Sequence, residues 1–418
     1  MTGDHWAKKS TFRIGHWLPT EPEALGAWLH AFKTRAEAQG SGRHPVIQEF
    51  ADLIYDDPIL RMYFTSMIDQ VPSTSRYRVR HLVSIEQMLS LMNALLTYVP
   101  EFEDSAYVGC PLDAILDWCM GTSAGFAAFR HPSVNAMLKK IIAVWCEYLS
   151  SEASLHVIAD SPKGWKSEPA QARIGMVEFE HDPNDPHWGF RSWNEFFTRR
   201  FKPDARPVAA PDDRKVIVSP CESRPYRIAR DVKRQDDFWI KGQPYSLTDM
   251  LAGDATVDDF VGGIIYQAFL SAFNYHRWHS PVDGTILEAR KVEGTYFSEA
   301  ESEGEDPIGP NHSQAYLTHV AARTIIHIMA DDPAIGHMVV MPVGMGEISS
   351  CVIAPGIKAG ARVAKGAELG YFQYGGSTVC CLFRPDAVAT FALGALPEPD
   401  HPHPPLTRVN TFLARAAD

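Results

Sequence analysis

"YFQYGGSTVCCLFRPD", residues 371–386, places a Gly-Gly pair ahead of a Ser-Thr pair, between two apolar runs. Glycine pairs punctuate turns, so one reading is an ordinary hairpin tip joining two strands. The other reading makes Ser377 the point at which the chain cuts its own backbone. Gly376 carries no Cβ, which leaves its carbonyl unhindered and lets its peptide take strained dihedrals. The choice depends on what the rest of the chain brings to this corner.

At 418 residues the chain exceeds one compact core and points to two domains. Its 45% hydrophobic and 22% charged fractions are those of a globular protein. A net charge of −12 disfavours nucleic acid and anionic membrane surfaces as main partners. The first residues, "MTGDHWAKKSTFRIGHW", have no apolar run after their charges and are not expected to act as a secretory signal. The longest apolar candidate, "VGGIIYQAFLSAFNY" at 261–275, is broken by Gly, Gln, Ser and Asn and reads as buried sheet, not as a membrane span. Seven cysteines with no CxxC spacing fit free thiols in a reducing compartment, so a cytoplasmic location is expected.

Residues 21–150 read as helices. "EPEALGAWLHAFKTRAEA" (21–38) starts acidic, ends basic and spaces its apolar residues at three and four, and the runs beginning at His44, Ser84 and His131 repeat that pattern. Residues 156–192 are rich in Pro, Asp and Gly, as linkers and loops are. After residue 210 the pattern changes to short β-branched runs between turns, among them "KVIVSP", "DGTILEARKV", "RTIIHIMA", "HMVVMPVG" and "STVCCLF". The acidic "SEAESEGEDPIGPNHSQ" (298–314) reads as a long loop. The expected class is therefore α+β, with a helical domain over 1–155, linker and loops over 156–192, and a β-rich domain over 193–418. The rhythm of "APGIKAGARVAKGAELGYF" (354–372) resembles a lipoyl-type carrier, but no lysine-tipped hairpin accompanies it.

Three separated segments supply a nucleophile, a base and an acid: Ser377, the histidines of "NYHRWHSPVDG" (274–284), and Glu222 in "VSPCESR" (218–224). Serine needs a base to take its proton, and the base is commonly oriented by an acid. Without a G-x-S-x-G elbow, the set is less suited to an ester hydrolase than to self-cleavage. Attack of Ser377 Oγ on the Gly376 carbonyl turns the amide into an ester. Loss of the serine α-proton then eliminates the Gly376 carboxylate and splits the chain into 1–376 and 377–418. The new dehydroalanine terminus loses ammonia to water and becomes a pyruvoyl group. That ketone withdraws electrons from a substrate amine, with no added cofactor. A metal on His276 and His279 is not expected, since no Cys or Asp ligand set lies nearby in "YHRWH". Arg277 reads equally as a clamp for a substrate carboxylate or as a surface residue. Cys380 and Cys381 read as packed strand residues, and Arg199, Arg200 and Arg206 as surface or inter-domain pairs.

In order, "WNEFFTRRFKPDARPV" (193–208), "IKGQPYSLTDML" (240–251), "YHRWHSPVDGTI" (275–286) and "ARVAKGAELGYFQYGGST" (361–378) resemble the phosphatidylserine decarboxylase family of pyruvoyl enzymes. The resemblance implies cleavage at Gly376–Ser377 and self-cleaved α and β chains that stay associated. It implies His279 as the triad histidine and His276 as a second active-site histidine concerned with decarboxylation. Glu222 stands where the family usually has Asp, one methylene longer. The helical extension, "GTYF" (294–297) and "GMGEIS" (344–349) look like a soluble subgroup, the L-tryptophan decarboxylases of psilocybin-producing mushrooms and their relatives. That likeness implies a free aromatic amino acid as substrate, with Trp278, Tyr296 and Phe297 as pocket walls. The alternatives are phosphatidylserine at a membrane surface, an uncleaved binding protein, and a Ser-His-Glu hydrolase.

Overall fold

The computed structural model describes residues 17–19, 21–40, 42–72, 81–104, 106–236, 245–299, 313–347, 350–397 and 405–418. Most of the expected loop 298–314 and parts of the motifs at 240–251 and 344–349 lie outside them. The chain divides into two compact units. One holds Met1–Met176, His181–Phe196 and Thr295–Ser313; the other holds Val177–Glu180, Phe197–Gly294 and Gln314–Asp418.

The first unit is helical. Among its described helices are α1 (Pro22–Ala38), α2 (Pro45–Asp56), α3 (Pro58–Asp69), α4 (Ile85–Leu95), α5 (Pro111–Met120), α6 (Ser123–Ala128), α7 (Pro132–Leu149) and α8 (Glu168–Ile174). Five of them begin on proline, whose fixed φ suits the first helical turn and whose missing N–H is not needed there. The run from His44 to Val71 is two helices and not one. Pro58 cannot donate to continue α2, and the Asp57 carboxylate caps α3 by accepting from the N–H groups of Ile59 and Leu60. The core includes an edge-to-face aromatic series, Phe50–Phe64–Phe129–Phe297, with centroids 5.6, 6.0 and 6.2 Å apart.

The second unit is built on antiparallel sheet, with strands β1 (Val216–Val218), β2 (Arg224–Arg230), β3 (Ile264–Leu270), β4 (Arg277–His279), β5 (Gly284–Val292), β6 (Arg323–Ala330), β7 (His337–Gly346), β8 (Ser350–Ile353), β9 (Arg362–Val363), β10 (Glu368–Gln373), β11 (Gly376–Phe383), β12 (Val388–Phe391) and β13 (Phe412–Ala416). The large sheet runs β2-β3-β11-β7-β6-β5-β9, and two three-stranded sheets run β4-β10-β8 and β1-β13-β12. The "GGST" stretch is therefore neither a hairpin tip nor a sheet edge: β11 is an interior strand, paired with β3 and β7, and buried along its whole length. Its continuous small and apolar run fits a strand covered on both faces. Cys380 and Cys381 are fully buried in it, and all seven cysteines are free thiols.

Two connections bring the motifs together. β10 pairs with β4 at Glu368↔His279 and Tyr371↔Arg277, and the chain passes from β10 through Gly375 (φ +135°) directly into β11. The Glu222 loop is tied to the same place, because the His279 N–H donates to the Pro220 carbonyl at 2.8 Å.

Gly370 sits in β10 where an added Cβ would strike the Val352 carbonyl and the Trp278 ring. Gly370→Ala should cost about 3 kcal/mol in urea unfolding. Burial lowers the His319 pKa from 6.5 to about 4, and its Nε2 accepts from the Ser246 N–H at 2.9 Å. Because the unfolded chain takes up this proton first, His319's stabilising contribution is complete above pH 6.5 and is lost as the pH falls towards 4. Urea midpoints between pH 7 and pH 4.5 should therefore fall, and His319→Gln should flatten that decline.

Candidate active site

Ser377 opens the paired part of β11 opposite Leu270 and Gly344, while Gly376 faces Gly346. Met345 is left over between those partners, so a β-bulge falls at the Gly376–Ser377 bond. Ser377 is fully buried and its Oγ has no hydrogen-bond partner. The next residue is firmly held. Thr378 Oγ1 donates to the Ala268 carbonyl at 2.9 Å and accepts from Gln267 Nε2 at 3.1 Å, and Tyr245 donates to Gln267 Oε1. A buried hydroxyl with no hydrogen bond to hold it elsewhere, directly after a glycine carbonyl, fits the precursor of a serine-derived pyruvoyl group.

His279 is fixed on both nitrogens. Nδ1 lies 2.7 Å from the Gly366 carbonyl, which can only accept, so Nδ1 carries the proton. Nε2 then accepts from the Tyr275 hydroxyl at 2.9 Å, and burial keeps that phenol protonated. Burial also lowers the His279 pKa, which leaves a neutral ring with a basic nitrogen. His276 is completely buried, and burial and then Arg199 push its pKa well below the ordinary range. Its ring stacks on Phe197 at 4.0 Å, and Phe197 meets Tyr374 edge-on at 4.8 Å, three residues before Ser377.

Glu222 is buried, and its Oε1 accepts from Arg206 Nε at 2.5 Å. The same guanidinium grips Glu178 through both terminal nitrogens, at 3.0 and 2.8 Å. Burial raises the Glu222 pKa and Arg206 partly opposes the rise. The structure thus brings the Glu222 loop to His279 through the backbone, yet the two side chains do not hydrogen-bond to each other. The tautomer of His279 is set by the Gly366 carbonyl instead. Arg206, expected on the surface or between domains, is a half-buried bridge between two carboxylates, and Arg199 is buried with a donor on the Phe273 carbonyl.

Arg277 is also internal: Nε donates to the Thr198 carbonyl at 2.7 Å and a terminal nitrogen to Glu368 at 2.6 Å. Trp278 is a fully buried core residue packed on Phe372. Tyr296 and Phe297 belong to the first unit, where the Tyr296 N–H donates to Asn135 and Phe297 joins the aromatic series. A cleft of about 240 Å³ opens beside His279, bordered by Tyr275, Arg200, Lys202, Arg206 and Glu368. Tyr275, Gly366, Arg206 and Phe197 were not identified from sequence, although the first stands directly before the H-x-x-H pair.

Two family models, both described as phosphatidylserine decarboxylase, match residues 193–395 and 44–174. Decarboxylase iboD of Amanita muscaria is 42% identical over 304 residues, covering 68% of this chain and 86% of that protein. L-tryptophan decarboxylase of Psilocybe cubensis is 32% identical over 409 residues, 91% of this chain and 90% of its own. Phosphatidylserine decarboxylase proenzyme 3 of Schizosaccharomyces pombe is 34% identical over 205 residues, 49% of this chain and 20% of its own. Among the described residues no helix is long and apolar enough to cross a membrane. The chain belongs to the phosphatidylserine decarboxylase family and is a pyruvoyl-dependent decarboxylase.

Proposed function

We propose that the chain cleaves itself between Gly376 and Ser377 and then decarboxylates a free aromatic L-amino acid, with tryptophan to tryptamine as the leading case. The carrying observation for the substrate is coverage. The Psilocybe cubensis relative named for L-tryptophan matches 91% of the chain, helical unit included, whereas the Schizosaccharomyces pombe relative named for phosphatidylserine matches 49%. The cleavage assignment is supported by the buried, unpartnered Ser377 hydroxyl after a glycine pair.

In maturation, Ser377 Oγ is the nucleophile and the neutral His279 ring is the base that accepts its proton, which requires Nε2 to leave the Tyr275 hydroxyl and turn to Ser377. Glu222 acts on His279 from its loop: it anchors Arg206, and the carbonyl of Pro220 two residues earlier holds the His279 backbone. The pyruvoyl group formed at residue 377 supplies the electron sink for the substrate amine, with no added cofactor. His276, shielded from bulk water, relays a proton to the substrate carbon that loses CO2, taking it up on its basic nitrogen before passing it on. Residues 377–383 lie between β3 and β7, and β13 pairs with β1, so the small chain stays bound to the large one after the cut.

Phosphatidylserine is the second reading, favoured by the match to a relative named for phosphatidylserine over 49% of the chain. Amine release from free L-tryptophan without lipid supports the amino-acid reading, and activity only with phosphatidylserine vesicles overturns it. Neither activity, from an uncut chain, would favour the binding-protein alternative.

His279→Gln should accumulate as one uncut chain on denaturing gels. His276→Ala should still mature, with kcat lowered about 100-fold or more. Arg206→Met leaves the Glu222 carboxylate buried without its counter-charge and should cost about 3 kcal/mol in urea unfolding, together with slower cleavage. The exposed Arg200→Met serves as the neutral comparison, within about 0.5 kcal/mol.

A further inference from the structure

A second polar cluster lies elsewhere in the second unit, on residues the decarboxylase reading does not use. His327 on β6 is 2% exposed, and its Nε2 makes no hydrogen bond. That nitrogen lies 3.5 Å from Asp254 Oδ2, and Glu288 on β5 brings a third ligand atom, all three within 4.8 Å of one another. Asp254 is held in place because its Oδ1 accepts from both the N–H and the hydroxyl of Thr256, each at 2.8 Å.

The proton positions around His327 follow from its partners. Asp259 Oδ2 lies 2.8 Å from His337 Nδ1, so that nitrogen donates and His337 Nε2 is left as an acceptor. His327 Nδ1, 2.9 Å from His337 Nε2, must then be the donor. The lone pair of His327 Nε2 is thereby aimed at two carboxylates. Two acceptors at 3.5 Å repel unless a positive charge lies between or beside them. Arg290 supplies one, at 3.3 Å from Asp254 Oδ2 and 3.2 Å from Glu288 Oε1. One guanidinium thus faces the two carboxylates of Asp254 and Glu288, which leaves that pair with one negative charge in excess of it.

We infer that Asp254, Glu288 and His327 form a site for a divalent first-row cation of the zinc type, with His337 and Asp259 orienting the histidine ligand. One imidazole nitrogen and two carboxylate oxygens suit zinc, with a fourth position left to water. A histidine whose other ring nitrogen donates into a His-Asp chain has the support that metal-ligating histidines usually have. The half-exposed Glu288 closes onto the ion from the solvent side, and Arg290 swings off the two carboxylates as the ion enters. From the sequence no metal site is expected anywhere in the chain, and the inferred site departs from that expectation. Asp254, Glu288 and His327 are scattered over 74 residues and share no motif.

The test uses the full chain, freed of metal by chelator and titrated with zinc chloride by calorimetry at pH 7.5. The expected result is one zinc per chain with a Kd of about 1 μM or tighter. Asp254→Asn and Glu288→Gln should each weaken binding about tenfold or more, and Arg290→Gln should tighten it. Glu288 is half exposed, so its variant does not threaten folding. No stoichiometric binding, or zinc bound with unchanged affinity by both carboxylate variants, overturns the site. Cobalt-loaded protein distinguishes a site on the cysteines by its thiolate charge-transfer band, and such a band would also overturn it.

Discussion

A serine hydroxyl sealed inside a sheet with nothing to bond to is the constraint on which this structure turns. Leaving such a group unsatisfied costs about 1–3 kcal/mol, and here nothing recovers it locally. Thr378 is pinned by Ala268 and Gln267, the strand is paired on both sides, and the bulge at Gly376–Ser377 interrupts the ladder at the bond in question. An idle nucleophile and a break in the ladder thus coincide at one peptide, which the chain reaches through the Gly375–Gly376 pair. The sheet also suits the proposed cut, because β3 and β7, which flank β11, both lie within residues 1–376 and their pairing does not depend on that covalent bond.

The electrostatics follow from burial. His276 and His279 are held neutral because their charged forms have no water to solvate them, and a neutral imidazole is what a proton acceptor must be. Glu222 goes the other way, since burial alone would raise its pKa, and Arg206 counteracts that rise. One guanidinium between Glu178 and Glu222 keeps the acid loop in place, and the loop's carbonyl at Pro220 holds the histidine strand. The extra methylene of Glu222 relative to Asp accords with this indirect arrangement, in which a backbone carbonyl, that of Gly366, fixes the ring.

Much of this was legible in the sequence, and the exceptions have physical causes. The strands read as "RTIIHIMA", "HMVVMPVG" and "STVCCLF" were clear because they are buried on both faces and carry few polar residues. β2, "RPYRIAR", was missed because it lies at the sheet edge, where three arginines and a proline are tolerated. Helix α5, "PLDAILDWCM", was not singled out because nine of its ten residues are buried and it has no polar face to mark a period. Ser377, His276 and His279 stand in compact motifs and could be named. Gly366 acts through its carbonyl and Arg206 through two distant carboxylates, and neither partnership leaves a pattern in one dimension.

The central claim is that the chain cuts itself at Gly376–Ser377, and intact-mass spectrometry of the purified protein under denaturing conditions tests it most directly. The account predicts two species that divide after Gly376. The smaller should be lighter than an unmodified 377–418 peptide by the difference between a serine and a pyruvoyl terminus. A single species at the full mass of the 418-residue chain, under conditions in which the protein is folded, would contradict it.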